Sequence, residues 1–146
     1  MKFEAAIFDL FGTLVDDFGS SVGQMQSEFA AALNMSGEQF LQHWRQIADM
    51  RTLGVFQTVE ASIDYVCNRM GVKVSVEQMT KAVEIRLQYT KRALEPRPNA
   101  IATLMQLKSA GHKIGLLSNC SIEIPILWPE TEFADLVESP IFSSRE

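Results

Sequence analysis

Two short apolar runs, each ending in a small polar residue, stand out in the hydrophobic pattern of the chain. The first ends at Asp9 and the second at Ser118, and each has the length of a β-strand. Apolar runs without alternation are typical of strands that a parallel sheet buries on both faces. Because open α/β sheets bind ligands at the carboxyl ends of their strands, Asp9 and Ser118 are expected at a functional edge.

Between these runs, apolar positions recur at helical spacing. The pattern predicts four helices between about residues 20 and 94, which form a small bundle. Ser36 and Ser75 each precede a glutamine by three residues, the pattern of a capping box. Thr58 is the predicted cap of a further helix in the same segment.

A proline-rich connector at residues 95–98 separates this bundle from the second apolar run. A helix is predicted between a cap at Asn99 and a stop at Gly111, and it leads into the strand at residues 113–118. A short helix is expected at residues 122–127. A third strand is expected at residues 137–143, although Pro140 weakens that prediction.

This order predicts an α/β fold with an inserted helical domain. The core is a Rossmann-like parallel sheet, incomplete in its number of strands, formed by residues 1–15 and 96–146. The insertion, residues 16–95, is a four-helix cap domain. The 146 residues, 47% of them hydrophobic, suit one globular unit with a substantial core.

Charge and hydropathy exclude several classes of protein. The net charge is −5, and no Lys/Arg cluster marks a nucleic-acid partner. No apolar run approaches the roughly 20 residues of a membrane span. Cys67 and Cys120 lie too far apart for metal-ligand spacing, and we interpret them as reduced thiols of a cytoplasmic protein.

The residues at the strand ends indicate a particular chemistry. The Asp9 carboxylate is a candidate nucleophile that forms a covalent intermediate for water to hydrolyse. Backbone N–H groups of the turn at residues 11–13 suit anionic oxygens, and Ser118 and Asn119 add hydrogen-bond donors. A phosphate substrate would also call for Mg²⁺ to offset the repulsion between negative groups.

The motifs resemble those of a known family. Residues 8–14 (Phe-Asp-Leu-Phe-Gly-Thr-Leu) resemble the first motif of the haloacid dehalogenase-like hydrolase superfamily, and residues 116–119 (Leu-Leu-Ser-Asn) resemble its second motif. The helical insertion resembles members with a cap between these motifs. The resemblance implies that Asp9 is the nucleophile and that Ser118 orients the transferred group.

The same resemblance assigns roles around the pocket. It implies that Phe11, Gly12, Thr13 and Asn119 contact substrate, with Thr13 shaping the turn. It also implies that Asp9 and the Phe11 carbonyl hold Mg²⁺ if the substrate is a phosphate. Arg45 is a candidate substrate contact from the cap, where dehalogenases use an arginine. Helical arginines such as Arg45 and Arg51 more commonly lie in solvent.

One departure from the family pattern bears on the reaction. Phosphatases of the family carry a second aspartate two residues after the nucleophile, and here that position is Phe11. Dehalogenases also lack this acid, because they expel halide, which needs no proton. The leading interpretation is hydrolysis of a phosphate monoester, the commonest activity in the family. The alternatives are metal-free dehalogenation of a 2-haloacid and a non-catalytic binding or interaction protein.

A second departure is that the third and fourth motifs of the family, a lysine and later acidic residues, are absent. The chain is therefore expected to be the N-terminal part of a longer enzyme. Its small sheet leaves an apolar edge open, which predicts a homo-oligomer, a swapped segment or poor solubility. The expected partner in the site is a small anionic substrate.

Overall fold

The structure, a computed structural model, describes residues 3–17 and 22–146 of the chain. No helix in this part of the chain combines the length and the apolar character that crossing a membrane requires. The elements are β1 (Ala5–Phe8), α1 (Val22–Ala32), α2 (Gly37–Gln46), α3 (Ala48–Thr52), α4 (Val59–Arg69), α5 (Val76–Ala93), α6 (Ala100–Ser109), β2 (Lys113–Ser118), α7 (Glu123–Leu127) and β3 (Ser139–Phe142). Two short 3₁₀ helices, Trp128–Glu130 and Ser143–Arg145, follow α7 and β3.

The strands form a three-stranded parallel sheet in the order β1-β2-β3. Phe8 is paired with Leu116, and Ser118 is paired with Phe142, so the carboxyl ends of all three strands meet at one edge. The predicted α/β fold with a parallel sheet is confirmed. The third strand forms in spite of Pro140, because β3 lies at the edge of the sheet, where a proline is tolerated.

Only one face of the sheet is covered within the described residues. Ile114 and Leu116 are each 1% exposed and pack into a core with Leu104 of α6. On the opposite face, Ile7 is 76% exposed and Leu117 is 58% exposed. The expectation that these strands are buried on both faces is therefore wrong for this part of the chain, whose buried core lies against one face of the sheet.

The cap contains five helices in the described residues rather than four. The helix expected from Ser36 onward is divided, because Ile47 leaves the helical conformation (φ −99°, ψ 13°) between α2 and α3. The expected beginning of the first helix, near residue 20, lies outside the described residues. The cap has its own core, in which the rings of Phe29, Phe40 and Trp44 lie with centroids between 4.7 and 5.9 Å apart.

The predicted helix caps had different outcomes. The capping box at Ser75 is confirmed, since Ser75 and Gln78 exchange hydrogen bonds of 3.0 and 3.1 Å. Thr58 accepts from the Ala61 N–H at 3.1 Å, which confirms that cap as well. Ser36 and Asn99 precede helices but make no capping hydrogen bond with their side chains. The predictions of a capping box at Ser36 and of a side-chain cap at Asn99 are therefore wrong, and at Asn99 the backbone is left-handed (φ 69°).

Two neighbouring leucines of β2 provide a test of this one-sided sheet. Leu116 is 1% exposed, so Leu116→Ala should lower the free energy of unfolding by about 2–5 kcal/mol. Leu117→Ala should cost less than about 1 kcal/mol, because Leu117 is 58% exposed. Urea unfolding followed by circular dichroism measures both. Equal losses would show that the second face is buried too.

Candidate active site

Asp9 lies immediately after β1, at the carboxyl edge of the sheet, and its side chain is exposed. Its Oδ1 accepts a hydrogen bond of 2.8 Å from the Leu10 N–H. This bond orients the carboxylate at the point where the chain leaves the sheet. The carboxylate is thus both held in place and accessible from solvent, as a nucleophile must be.

The turn after Asp9 is fixed by its own backbone. The Leu10 carbonyl accepts hydrogen bonds from the Leu14 and Val15 N–H groups at 2.9 and 3.1 Å. Gly12 has a left-handed backbone (φ +73°), and a Cβ atom there would lie 3.0 Å from Asp17 Oδ1. A glycine therefore suits this position for both conformation and space.

The substrate-contact residues predicted in this turn have different exposures. Phe11 is partly buried against the core of the sheet, while Gly12 and Thr13 are exposed. The structure thus places the backbone of this turn at the carboxyl edge beside Asp9. The Phe11 ring serves at least in part to pack the turn onto the core.

Arg97, in the connector after the cap, anchors this turn. Its Nη1 donates to the Gly12 carbonyl at 2.8 Å, and its backbone N–H donates to the Leu14 carbonyl at 2.9 Å. Its Nε also lies 3.2 Å from Asp16 Oδ1. Arg97 therefore joins the segment that leaves the cap to the turn and to the segment that enters the cap. Sequence reasoning missed this role of Arg97.

The second motif lies at the same edge but is less accessible. Ser118 is 1% exposed, and its Oγ has no hydrogen-bond partner among the described residues. Asn119 is exposed, and its Oδ1 accepts a hydrogen bond of 2.9 Å from Ser143 Oγ, which in turn accepts from the Cys120 N–H at 3.0 Å. The structure thus brings Asp9, Ser118 and Asn119 to one edge, with Ser143 as an additional support.

The cysteines are buried and free. Burial raises the pKa of Cys120 to about 11, although the neighbouring hydroxyls of Ser118 and Ser144 act to lower it. Burial also raises the pKa of Cys67 to about 11. Both thiols are therefore protonated near neutral pH, which disfavours Cys120 as a nucleophile despite its place beside the second motif.

A buried ion pair joins the cap to the segment after the second motif. Arg86 of α5 places its Nε 2.6 Å from Oε1 of Glu123, the first residue of α7, and the two side chains are 6% and 1% exposed. Burial alone raises the pKa of Glu123, but the Arg86 charge and hydrogen bonds from Ser121 and Arg86 hold it well below its usual value. Glu123 therefore remains ionised, and the pair fixes α7 against the cap.

Sequence reasoning missed this pair, although a signal for it was present. Arg86 falls on the apolar stripe of its helix, between Val83 and Thr90, where a charge is out of place. Glu123 lies between two isoleucines. A charged residue within each of two apolar stretches is the pattern that a buried ion pair leaves in a sequence.

A second arginine, Arg51, lies in the same region as Arg86. The Arg51 guanidinium lies 4.4 Å from the ring centroid of Trp44, and Arg86 lies 5.4 Å from the same centroid. Burial, together with repulsion from Arg86, lowers the pKa of Arg51 to about 10, against the attraction of Glu123. The expectation that Arg51 is a solvated surface group is wrong, while Arg45 is indeed exposed.

The described residues do not by themselves fit a Mg²⁺ ion. Asp9 and the Phe11 carbonyl are the expected ligands, and hard cations prefer several oxygen ligands in one place. Within residues 3–17 and 22–146, no three side chains of His, Cys, Asp or Glu gather in a group that could hold a metal ion. Asp16, the next acid along the chain, is paired with Arg97.

Comparison with known proteins identifies the family. Residues 3–133 match the haloacid dehalogenase-like hydrolases. An (S)-2-haloacid dehalogenase of Pseudomonas fluorescens is 27% identical over 143 residues, which cover 90% of this chain and 59% of that protein. The chain therefore spans about three fifths of the length of this curated relative.

Solved structures share the fold. A haloacid dehalogenase family enzyme from Bacteroides thetaiotaomicron superposes with a TM-score of 0.68 at 16% identity, covering 99% of this chain and 70% of its own. An L-2-haloacid dehalogenase from Xanthobacter autotrophicus, solved with chloropropionic acid covalently bound, gives a TM-score of 0.55 at 21% identity, covering 97% of this chain and 57% of its own.

The Arg86–Glu123 pair makes stability depend on pH in a defined direction. Because the pKa of Glu123 is held below its usual value, the stabilisation is complete above about pH 5 and is lost as the pH falls towards the folded-state pKa. Glu123→Gln should flatten the fall in the free energy of unfolding between about pH 5 and pH 3. Urea unfolding at a series of pH values measures this.

The exposed pair between Lys91 and Glu130, with its Nζ–Oε2 distance of 2.7 Å, is the matched control. Arg86→Met leaves a buried carboxylate without its partner and should cost about 3–5 kcal/mol. Lys91→Met should cost less than about 1 kcal/mol, because both partners are exposed. Similar losses from the two substitutions would mean that the buried pair does not hold α7 to the cap.

Proposed function

Because the chain belongs to the haloacid dehalogenase-like hydrolase family, we propose that it hydrolyses the carbon–halogen bond of a small 2-haloacid, with Asp9 as the nucleophile. The observation that carries this proposal is Phe11. It occupies the position, two residues after the nucleophile, where a phosphatase of the family would carry its proton-transferring acid.

The chemistry of the leaving group explains why Phe11 matters. An alkoxide that leaves a phosphate ester is a strong base, and a carboxylic acid placed beside it supplies the proton that it needs. A phenylalanine ring has no proton to give. Halide leaves without protonation, so a site with Phe11 in this position is suited to carbon–halogen cleavage.

The proposed reaction has two steps. Asp9 attacks C2 of the 2-haloacid, a C–O bond forms, and the C–halogen bond breaks with its electron pair leaving on the halide. Water then attacks the carboxyl carbon of the resulting ester, which releases the 2-hydroxyacid, regenerates the Asp9 carboxylate and yields one proton. The exposure of Asp9 supports access by both the substrate and this water.

Two further observations support this choice over the phosphate ester that the sequence alone ranks first. The curated relative that matches 90% of the chain is a 2-haloacid dehalogenase. Ser118 and Asn119 lie at the same edge as Asp9, where they suit the carboxylate of the haloacid. A phosphate monoester remains the competing substrate, and a binding protein without turnover is the competing function.

The test offers both substrates to the longest natural polypeptide that contains this sequence. We expect halide release from 2-chloropropionate, and no phosphate release from p-nitrophenyl phosphate with Mg²⁺. Asp9→Asn should lower halide release by at least about 10³-fold, because it removes the nucleophile. Ion chromatography measures the halide.

Asp64→Asn is the control, since Asp64 is exposed on α4 and its Oδ2 accepts a hydrogen bond of 2.9 Å from Asn68 of the same helix. It should leave the rate unchanged. Release of phosphate that depends on Asp9, without release of halide, would replace the dehalogenase proposal by the phosphatase one. Turnover of neither substrate would favour the binding protein.

A further inference from the structure

The connector that leaves the cap carries an arginine between two prolines. Residues 95–98 are Glu-Pro-Arg-Pro. Proline has a fixed φ and no backbone N–H, and it also disfavours the helical conformation of the residue before it. Arg97 therefore has the only backbone N–H group among residues 96–98, and Pro98 restricts its conformation. The backbone that carries the Arg97 side chain is thus fixed largely by the covalent structure of the connector.

This connector lies directly against the segment that enters the cap. Val15 and Pro96 form an isolated antiparallel bridge, and the Arg97 N–H donates to the Leu14 carbonyl at 2.9 Å. Pro96 has no N–H to contribute to this pairing, so Arg97 supplies the hydrogen bond. The pairing brings the Arg97 guanidinium to the turn after Asp9.

The turn itself is closed without the Arg97 side chain. The Leu10 carbonyl accepts hydrogen bonds from the N–H groups of residues 13–15, at 3.3, 2.9 and 3.1 Å. Gly12, whose backbone is left-handed (φ 73°), directs its carbonyl to Arg97 instead, with an Nη1–O distance of 2.8 Å. The contact with Arg97 is therefore an external support, which ties an already closed turn to the connector.

Exposure indicates that this support matters for orientation more than for stability. The Arg97 side chain is 44% exposed, and Asp16, its partner at 3.2 Å, is 86% exposed. Ion pairs in such positions contribute little to folding. The bond from Arg97 to the Gly12 carbonyl, in contrast, acts three residues from Asp9, at the point where the orientation of the carboxylate is set.

We infer that Arg97 is a positioning residue for the reaction at Asp9. It holds the turn through the Gly12 carbonyl, so that the Asp9 carboxylate, fixed at its other end by the Leu10 N–H at 2.8 Å, keeps one orientation towards the substrate. Arg97 acts through the backbone of the turn and not on the reacting atoms. The inference rests on the proposed function, in which Asp9 is the nucleophile.

The experiment uses the longest natural polypeptide that contains this sequence. Arg97→Gln should lower kcat for halide release about 10- to 100-fold and change KM less than about twofold, because a small displacement of the nucleophile affects the chemical step. Arg97→Lys should recover only part of this loss, since lysine lacks the planar fork that reaches two acceptors. Millimolar guanidinium should restore part of the rate to Arg97→Ala, and potassium chloride at the same ionic strength should not.

Two controls separate this role from charge alone. Asp16→Asn removes the ion pair but keeps the bond to Gly12, so kcat should stay within about twofold of the wild type. Arg69→Gln removes an exposed arginine of α4 and should leave kcat unchanged. A loss from Asp16→Asn as large as that from Arg97→Gln would overturn the inference, and so would an effect of Arg97→Gln on KM alone or on neither constant.

Hydrogen–deuterium exchange of the peptide that covers residues 9–15 gives a readout that needs no turnover. Exchange there should be about three- to tenfold faster in Arg97→Gln and unchanged in Arg69→Gln. If Arg97→Gln does not fold, as judged by circular dichroism, Arg97→Lys decides. Unchanged exchange would overturn the inference. Faster exchange in a protein that releases no halide would still support the hold of Arg97 on this turn, while the proposed function would be removed.

Discussion

The parallel pairing of β1 with β2 is the constraint on which the rest of the site depends. It pairs Phe8 with Leu116, so the residues that follow each strand emerge at one edge of the sheet. A displacement of one residue would turn every side chain of the strand to the other face. In the observed register, Leu116 anchors β2 in the core while Asp9 emerges into solvent. The position of Asp9, the proposed nucleophile, is thus a consequence of hydrophobic burial.

The cap is attached to this edge by polar contacts on both sides of the site. On one side, Arg97 joins the connector after the cap to the turn that follows Asp9. On the other side, the buried pair between Arg86 and Glu123 joins α5 to α7. Buried charge pairs are seldom a net source of stability, but they specify one arrangement of the groups around them. Here that arrangement holds α5 of the cap against α7, the helix that follows the second motif.

Local patterns in the sequence predict the elements well, because helix periodicity, the Ser75 capping box and the strand-ending polar residues depend on neighbours in the chain. The sequence does not predict which face of the sheet is covered, since apolar runs do not record what packs on them. The sequence also does not predict long-range pairs such as Arg86 with Glu123, because 37 positions separate the partners. The position of Arg51 depends on the break in the helix at Ile47, and the spacing of apolar residues does not predict that break.

The family resemblance and the residue chemistry agree on Asp9 and differ on the substrate, and Phe11 is the residue that supports the haloacid proposal. The most direct test of the account is a single turnover of 2-chloropropionate in ¹⁸O-water, followed by mass spectrometry of the peptide that contains Asp9. If Asp9 forms the ester, water attacks its carboxyl carbon, and the peptide gains an ¹⁸O atom while the first 2-hydroxyacid released is unlabelled. An unlabelled Asp9 peptide, with ¹⁸O in the product of that first turnover, would contradict the account.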